Sequence, residues 1–167
     1  TISGNHAGVG GGGAVLYHGE TVVQNSTITK NSSAVFEGGG IVSLDQPAEL
    51  QSSIIFGNLA AAGYDDLYAV ANPDAASANN IIGDAGQLTL PGDTITSNPM
   101  LGPLQDNGGL SKTHAIGPGS PAIDAGNNTA GANNDQRGPG FPRVAGPAAD
   151  IGAFEYDDDI IFVNGFD

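Results

Sequence analysis

The sequence predicts an all-β fold, a parallel β-helix of about three coils with an irregular C-terminal cap and a terminal β-strand tail. Gly accounts for 27 of the 167 residues, more than double its usual share of ~7%. Gly, Asn, Ser, Thr and Pro together interrupt every helical window of about ten residues. Short apolar runs also recur at intervals of 26 or 27 residues. Short strands repeated over such a long period are typical of a solenoid.

The first repeated element is a short apolar run that ends in an Asn turn. Its central apolar residue recurs at Ile2, Ile28, Ile55 and Ile82, and the turn residue recurs at Asn5, Asn31 and Asn58. We expect the isoleucines to stack as one column inside the coils. We expect the asparagines to be structural, because Asn tolerates left-handed turns and can hydrogen-bond its equivalents along the axis.

Two further elements keep step with the first. Gly11–Val15 matches Gly38–Val42, and Val22–Ser26 matches Glu49–Ser53, each at a spacing of 27 residues. Each coil is therefore predicted to hold about three short strands. The Gly triplets are expected where the backbone bends or where neighbouring chains approach closely.

The repeat fades after residue 86, which divides the chain into three parts. Residues 1–86 are predicted to form the coils. Residues 87–156, rich in Pro, are predicted to form the cap that a solenoid needs over its last coil. Residues 157–167 are predicted to be an acidic linker and an apolar tail strand. The predicted assembly contacts of that tail are Ile160, Ile161, Phe162, Val163 and Phe166.

The composition excludes several classes of protein. Lys and Arg total 4 against 18 Asp and Glu, a net charge of −14, whereas nucleic-acid binding needs a basic surface. The absence of Cys excludes disulfide staples and zinc–thiolate sites. No run approaches the ~20 apolar residues of a membrane helix, so the chain is not predicted to span a membrane.

Acidic residues form the candidate cation sites. Asp157, Asp158 and Asp159 make a charge run, and Asp65 and Asp66 stand where an earlier repeat has Gly. Because Ca²⁺ prefers oxygen ligands, it is the one candidate cofactor. The alternatives are a solvated linker and a solvated turn.

Arg137 is the centre of the most highly charged motif. Its candidate partners are Asp124, Asp135, Asp150 and Glu155. Because Arg suits a bidentate, partly buried carboxylate pair, we interpret Arg137, Asp124 and Glu155 as structural residues that lock the cap. The alternative is an Arg that binds a substrate.

No catalytic residue is predicted. Parallel β-helices also host polysaccharide lyases and hydrolases, which combine clustered carboxylates with a Lys or Arg base. The only lysines are Lys30 and Lys112, and the coils next to Lys30 place no carboxylate at the equivalent position. Tyr17, Tyr64 and Tyr68 would stack on a sugar, and ordinary turn positions are the alternative.

The second half of the chain carries a resemblance to a known family. The segments are NPMLGPLQDNGG (98–109), THAIGPGSPAIDAG (113–126), DQRG (135–138) and DIGAFE (150–155). Together they resemble the C-terminal choice-of-anchor region of bacterial right-handed parallel β-helix surface proteins, akin to polymorphic outer-membrane proteins. The final IFVNGFD (161–167) resembles the short tail of such proteins. This resemblance, over roughly residues 50–167, implies a right-handed β-helix exported to the extracellular space or outer cell surface, and it implies no chemistry.

These observations predict a non-enzymatic structural or adhesive module. Since the first coil has no cap in the sequence, either further coils precede it or a neighbouring subunit covers it. The predicted partners are therefore further copies of the chain, other cell-surface components or a polysaccharide. The alternatives are a carbohydrate-active β-helix enzyme and a passive secretion or anchoring region.

Overall fold

The computed structural model describes residues 1–157, and over that range the chain is a right-handed parallel β-helix of about three coils. All its regular elements are β-strands, as the sequence predicts. No segment within the described range forms a helix that is long and apolar enough to cross a membrane.

Each coil is built from up to four short strands, which are joined at corners where the chain turns. The first coil holds β1 (Ile2–Ser3), β2 (His6–Ala7), β3 (Ala14–Leu16) and β4 (Val22–Gln24). The second holds β5 (Thr27–Thr29), β6 (Ser32–Ser33), β7 (Ile41–Ser43) and β8 (Glu49–Gln51). The third holds β9 (Ile54–Ile55), β10 (Leu59–Ala60) and β11 (Leu67–Ala69), and β12 (Ile81–Ile82) begins the next turn.

These strands stack as four parallel sheets. Sheet 1 is β1-β5-β9-β12, sheet 2 is β2-β6-β10, sheet 3 is β3-β7-β11, and sheet 4 is β4-β8. The prediction of about three strands per coil missed sheet 2. Its two-residue strands are too short to show an alternating pattern, and His6 and Ser32, which pair there, are not apolar.

The register confirms the predicted isoleucine column. Ile2 pairs with Ile28, Ile28 with Ile55, and Ile55 with Ile82. The column belongs to the interior core of the coils. The buried members of that core are Ile28, Ile41, Ala48, Leu50, Ile55, Leu67, Ile82 and Ala85. Removing these side chains from water stabilises the solenoid.

The Gly triplets lie where backbones of adjacent coils touch. A Cβ on Gly12 would lie 2.4 Å from the carbonyl oxygen of Gly39, and a Cβ on Gly39 would lie 2.3 Å from that of Leu59. Gly38 also has a φ of 71°, which a side chain opposes. The triplet therefore marks a position that only Gly fits.

Replacing Gly39 with Ala is expected to lower the free energy of unfolding by about 2–3 kcal/mol, since the new methyl group meets backbone that cannot rotate away. Gly92→Ala is the matched control, because a Cβ there has no heavy atom within 4 Å. Urea denaturation of both variants measures the effect. An equal change in the two variants would contradict the close packing.

The region after the third coil covers two different surfaces. Leu88 and Leu90 pack onto the interior core and close the end of the stack, and Ile95 adds a parallel bridge to Ile81. The rest of the described chain, including the antiparallel pair β13 (Leu101–Gln105) and β14 (Thr113–Ile116), packs on the outer side of sheet 1.

A second apolar cluster joins that region to sheet 1. Its buried members are Ile54, Ile81, Ile116, Ala122, Ile151 and Phe154. Ile54 and Ile81 point outward from sheet 1, since their neighbours Ile55 and Ile82 belong to the interior core. The sequence predicts a cap over the last coil, whereas in the structure most of this region lies along the side. Irregularly spaced apolar residues do not reveal which surface they cover.

Candidate functional site

Asn5, Asn31 and Asn58 form a hydrogen-bonded ladder at equivalent corners of the three coils. The side-chain Nδ2 of Asn5 donates to Oδ1 of Asn31 at 2.9 Å, and Nδ2 of Asn31 donates to Oδ1 of Asn58 at 3.0 Å. The same oxygens accept the backbone N–H groups of Asn5 and Asn31. Asn31 and Asn58 also donate to the carbonyls of Ile2 and Ile28 at 3.0 Å. The ladder thus satisfies backbone groups where the chain turns.

The ladder ends on the carboxylate of Asp66. The fourth repeat has Ala85 where the earlier repeats have Asn, so Asn58 needs another acceptor. Oδ1 of Asp66 accepts the backbone N–H of Asn58 at 2.9 Å and its Nδ2 at 2.8 Å, and Oδ2 accepts the N–H of Asp84 at 2.9 Å. Burial raises the pKa of Asp66, while the N–H donors oppose that shift.

Asp65 is also held by the backbone. Its Oδ1 accepts the N–H of Ala60 at 2.7 Å, and its own N–H donates to Asp84 at 3.0 Å. Within residues 1–157 no group of three or more His, Cys, Asp or Glu side chains is arranged to hold a metal ion. Asp157 is the last described residue, and Asp158 and Asp159 lie outside the described residues. The binding of Ca²⁺ therefore stays a prediction.

Arg137 pairs with Asp135, one of its four candidate partners. Nε and Nη2 of Arg137 donate to Oδ2 of Asp135 at 2.9 and 2.7 Å, and Nη2 also donates to the carbonyl of Glu155 at 2.6 Å. The guanidinium carbon lies 4.0 Å from the ring centre of Phe141 and 3.9 Å from that of Phe154. The buried Arg137 is thus enclosed by two aromatic rings and a carboxylate.

The other three candidates have different partners. Oδ1 of Asp124 accepts the N–H of Ala148 at 3.2 Å, and the N–H of Asp124 donates to Asp150 at 2.8 Å. The carboxylate of Glu155 lies 3.7 Å from Nη2 of Arg143. Arg137 thus contacts Glu155 through the carbonyl of that residue, whereas the carboxylates of Asp124 and Glu155 have other partners.

Arg143 is a central residue that the sequence reasoning missed. It is fully buried, and it donates to the carbonyls of Gly152, at 3.0 Å, and Asp150. Burial lowers the pKa of Arg143, and the neighbouring carboxylate of Glu155 opposes that shift. Its sequence neighbours are apolar, Gly or Pro, so no carboxylate nearby in the chain marks it. The available signal was that the chain has only four Lys and Arg residues.

Glu155 is a buried carboxyl group with a raised pKa. Burial raises its pKa from 4.5 to about 7, although its carboxylate accepts the N–H groups of Asp150 and Ala145. Burial also raises the pKa of Asp150. Between pH 4.5 and about 7, folded Glu155 therefore retains a proton that the unfolded chain has released.

The contribution of Glu155 to the free energy of unfolding is expected to fall as pH rises from 4.5 to about 7, because the folded state binds more protons there. The Glu155→Gln variant is expected to show a shallower slope. Glu20→Gln, at an exposed position, is the control. Denaturation in guanidinium chloride across this range measures the slope, and identical slopes in the two variants would contradict the assignment.

His114 ties the C-terminal region to the first coil. Its Nδ1 lies 2.7 Å from the carbonyl oxygen of Gly102, and its Nε2 lies 2.8 Å from Oγ of Ser3. Since a carbonyl only accepts, Nδ1 carries the proton, and in the neutral ring Nε2 accepts from the Ser3 hydroxyl. Burial lowers the pKa of His114, which favours this neutral form.

Further contacts continue this attachment along sheet 1. The N–H of Ala153 donates to Oγ1 of Thr27 at 3.0 Å, and the N–H of Gly152 donates to the carbonyl of Ser52 at 2.8 Å. Oγ of Ser52 accepts the N–H of Asn127 at 2.8 Å. The C-terminal region is thus fastened to successive coils through polar contacts as well as through the second apolar cluster.

The predicted assembly residues of the tail lie beyond this site. Ile160, Ile161, Phe162, Val163 and Phe166 fall outside the described residues, so their role stays a prediction. Comparison with known proteins adds no relative, since no family model, no curated protein and no solved structure matches the chain.

Proposed function

We propose that this chain is a non-enzymatic structural or adhesive module of the extracellular space or bacterial cell surface. The observation that supports this most is that carboxylates of the candidate cation site and of the Arg137 motif are directed into the fold. Asp66, Asp135 and Glu155 are buried, and their carboxylates accept hydrogen bonds from the protein itself. Groups engaged in this way stabilise the coils and the attached C-terminal region.

The proposed location rests on the resemblance to β-helix surface proteins. The acidic composition, with a net charge of −14, is compatible with an exposed extracellular surface because it keeps the module soluble. Self-association through the first coil and the tail remains part of the proposal. Sedimentation of the chain with and without residues 158–167 tests it, and a tail-independent monomer would contradict it.

The test of the non-enzymatic role is an assay on a panel of acidic and neutral polysaccharides in the presence of Ca²⁺. We expect no new reducing ends and no new unsaturated products with the wild-type chain. The matched variant is Asp65→Ala/Asp66→Ala, with its folding checked by circular dichroism. Cleavage by the wild-type chain that disappears in the folded variant would overturn the proposal and support a carbohydrate-active enzyme.

A further inference from the structure

The outer face of sheet 3 is apolar across all three coils. Val15, Val42 and Tyr68 are register partners on β3, β7 and β11, and Tyr17, Leu44 and Val70 are two positions further along the same coils. None of these six residues belongs to either apolar cluster. Val15, Tyr17, Leu44 and Val70 are 52%, 63%, 41% and 57% exposed, whereas Tyr68 is half-buried and Val42, at the centre, is only 6% exposed. We call these six residues the sheet-3 face.

Aromatic residues extend this face. The exposed Phe36 lies near Val42, with Gly10 between them. The ring of Tyr64 packs edge-on against that of Tyr68, with ring centres 5.5 Å apart. A shallow cleft of about 150 Å³ is lined by Tyr64, Tyr68, Ala69, Gln87 and Leu88. The other aromatic residues of the described range are packed. Phe56, Phe154 and Tyr156 join the second apolar cluster, and Phe141 stacks on Arg137.

Sheet 1 also has apolar residues on its outer side, and there the chain covers them itself. Its outward residues Ile54 and Ile81 are covered by the chain's own C-terminal region. On the sheet-3 face only Val42 is buried, and none of the six residues belongs to the apolar cluster that covers Ile54 and Ile81. A contiguous apolar patch bordered by polar residues is typical of a protein interaction site, and exposed aromatic residues are typical of its core.

The charges around the sheet-3 face restrict the partner. Glu37 and Asp65 lie on the corners that lead into its strands, and Glu20 and Asp74 lie on the corners that leave them. The four Lys and Arg residues lie elsewhere. Lys30 follows β5 of sheet 1, Lys112 precedes β14, and Arg137 and Arg143 are buried in the C-terminal region.

This charge pattern disfavours three occupants and favours one. A polyanion finds no Lys or Arg at the border of the face, where the His18 ring beside Tyr17 is paired with Asp45 at 2.6 Å. A second copy brings the same acidic border and a net charge of −14. A neutral polysaccharide would leave the acidic border unused. A partner that is apolar on one side and carries Lys or Arg beside it matches both the face and its border.

We propose that the sheet-3 face binds a cationic amphipathic segment of another protein, whose apolar side covers the face and whose basic residues meet the acidic corners. This inference rests on the proposed adhesive function and gives the chemistry of its partner. Burial of the apolar face provides affinity, whereas the acidic corners provide orientation and faster association.

The experiment uses the full chain and a fluorescent synthetic peptide that alternates Leu and Lys, followed by anisotropy at several salt concentrations. The test variant is Val15→Ser/Leu44→Ser. The matched control is Leu59→Ser, an exposed Leu on sheet 2. We expect the test variant to bind about tenfold more weakly and the control to bind like wild type. Glu20→Gln/Glu37→Gln is expected to reduce the salt dependence of binding. Urea denaturation checks that all variants remain folded.

Three results would overturn the proposal. The first is equal binding by the test variant and the control, which indicates attraction by net charge alone. The second is equally tight binding of a Leu/Glu peptide, which removes the role of the acidic corners. The third is that the wild-type chain self-associates or binds a neutral oligosaccharide, and that only the test variant loses this binding. That result would assign the face to another occupant. The polysaccharide assay remains independent, since cleavage there contradicts the proposed function whatever the peptide does.

Discussion

Replacing Arg137 with Met is expected to lower the free energy of unfolding by about 3–5 kcal/mol, because it leaves the buried carboxylate of Asp135 without its cation. Asp135 cannot turn toward solvent, since it also accepts the N–H groups of Arg137 and Glu155 at 2.7 and 2.8 Å. The Met side chain retains contact with Phe141 and Phe154 but loses the cation–π attraction. The substitution therefore removes charge and hydrogen bonds with little change in volume.

Equilibrium denaturation in urea measures this loss. Lys112→Met is the matched control, since Lys112 is exposed and the same change of residue type is made there. Arg137→Lys separates charge from geometry, because Lys keeps the charge and lacks the planar fork. We expect its stability to fall between those of Arg137→Met and the wild type. An Arg137→Met variant as stable as the Lys112→Met control would indicate that Arg137 is available for a substrate.

Replacing Asn58 with Ala is expected to cost about 3–4 kcal/mol, because several buried polar groups lose hydrogen bonds at once. The backbone N–H of Asn31 loses its partner, and Nδ2 of Asn31, the carbonyl of Ile28 and Oδ1 of Asp66 each lose one of their hydrogen bonds. The next repeat supplies no substitute, since it has Ala85 at the equivalent position.

Asn5→Ala is the control for this prediction, since it removes the same residue type from the same ladder. Asn5 is exposed and its side chain donates to Asn31, so we expect the loss of that side chain to cost about 1 kcal/mol or less. Thermal unfolding of both variants compares them. Equal destabilisation of the two variants would contradict the prediction, because the burial of Asn58 would then add nothing to the free energy of unfolding.

The repeat made the solenoid predictable. A period of 26 or 27 residues and an inward Ile in each copy were enough to place the isoleucine column, and the pairing of Ile2, Ile28 and Ile55 confirms it. The Gly triplets were equally informative, because close backbone contacts exclude every other residue type. Sheet 2 was missed, since its register position His6, Ser32 and Leu59 carries no recurring apolar residue.

The candidate site was harder to predict because its contacts join distant parts of the chain. The motif around Arg137 was recognised and Asp135 was among its candidate partners, yet the rings of Phe141 and Phe154 that enclose Arg137 are known only from the structure. Arg143 has no carboxylate near it in the chain, so it offered no local pattern. Asp66 takes the place of an Asn at position 85 as the acceptor for Asn58, and only the folded ladder shows that Asp66 lies there.

The polar clusters and the sheet-3 face suggest a division of tasks within one module. The buried carboxylates and arginines hold the coils and the C-terminal region together, while the apolar face and acidic corners are directed outward. Substitutions in the first group are expected to unfold the protein. Substitutions such as Val15→Ser are expected to change binding and leave stability close to that of the wild type.

Native-state hydrogen exchange tests most directly whether the solenoid and the C-terminal region form one cooperative unit. The two amides to compare are that of Asn31, in the ladder, and that of Glu155, which donates to Asp135 at 2.8 Å. If the contacts along sheet 1 join the two parts, both amides exchange through global unfolding with the same free energy and denaturant dependence. Exchange of the Glu155 amide at a clearly lower free energy would contradict the single unit and leave the C-terminal clusters free to serve a ligand.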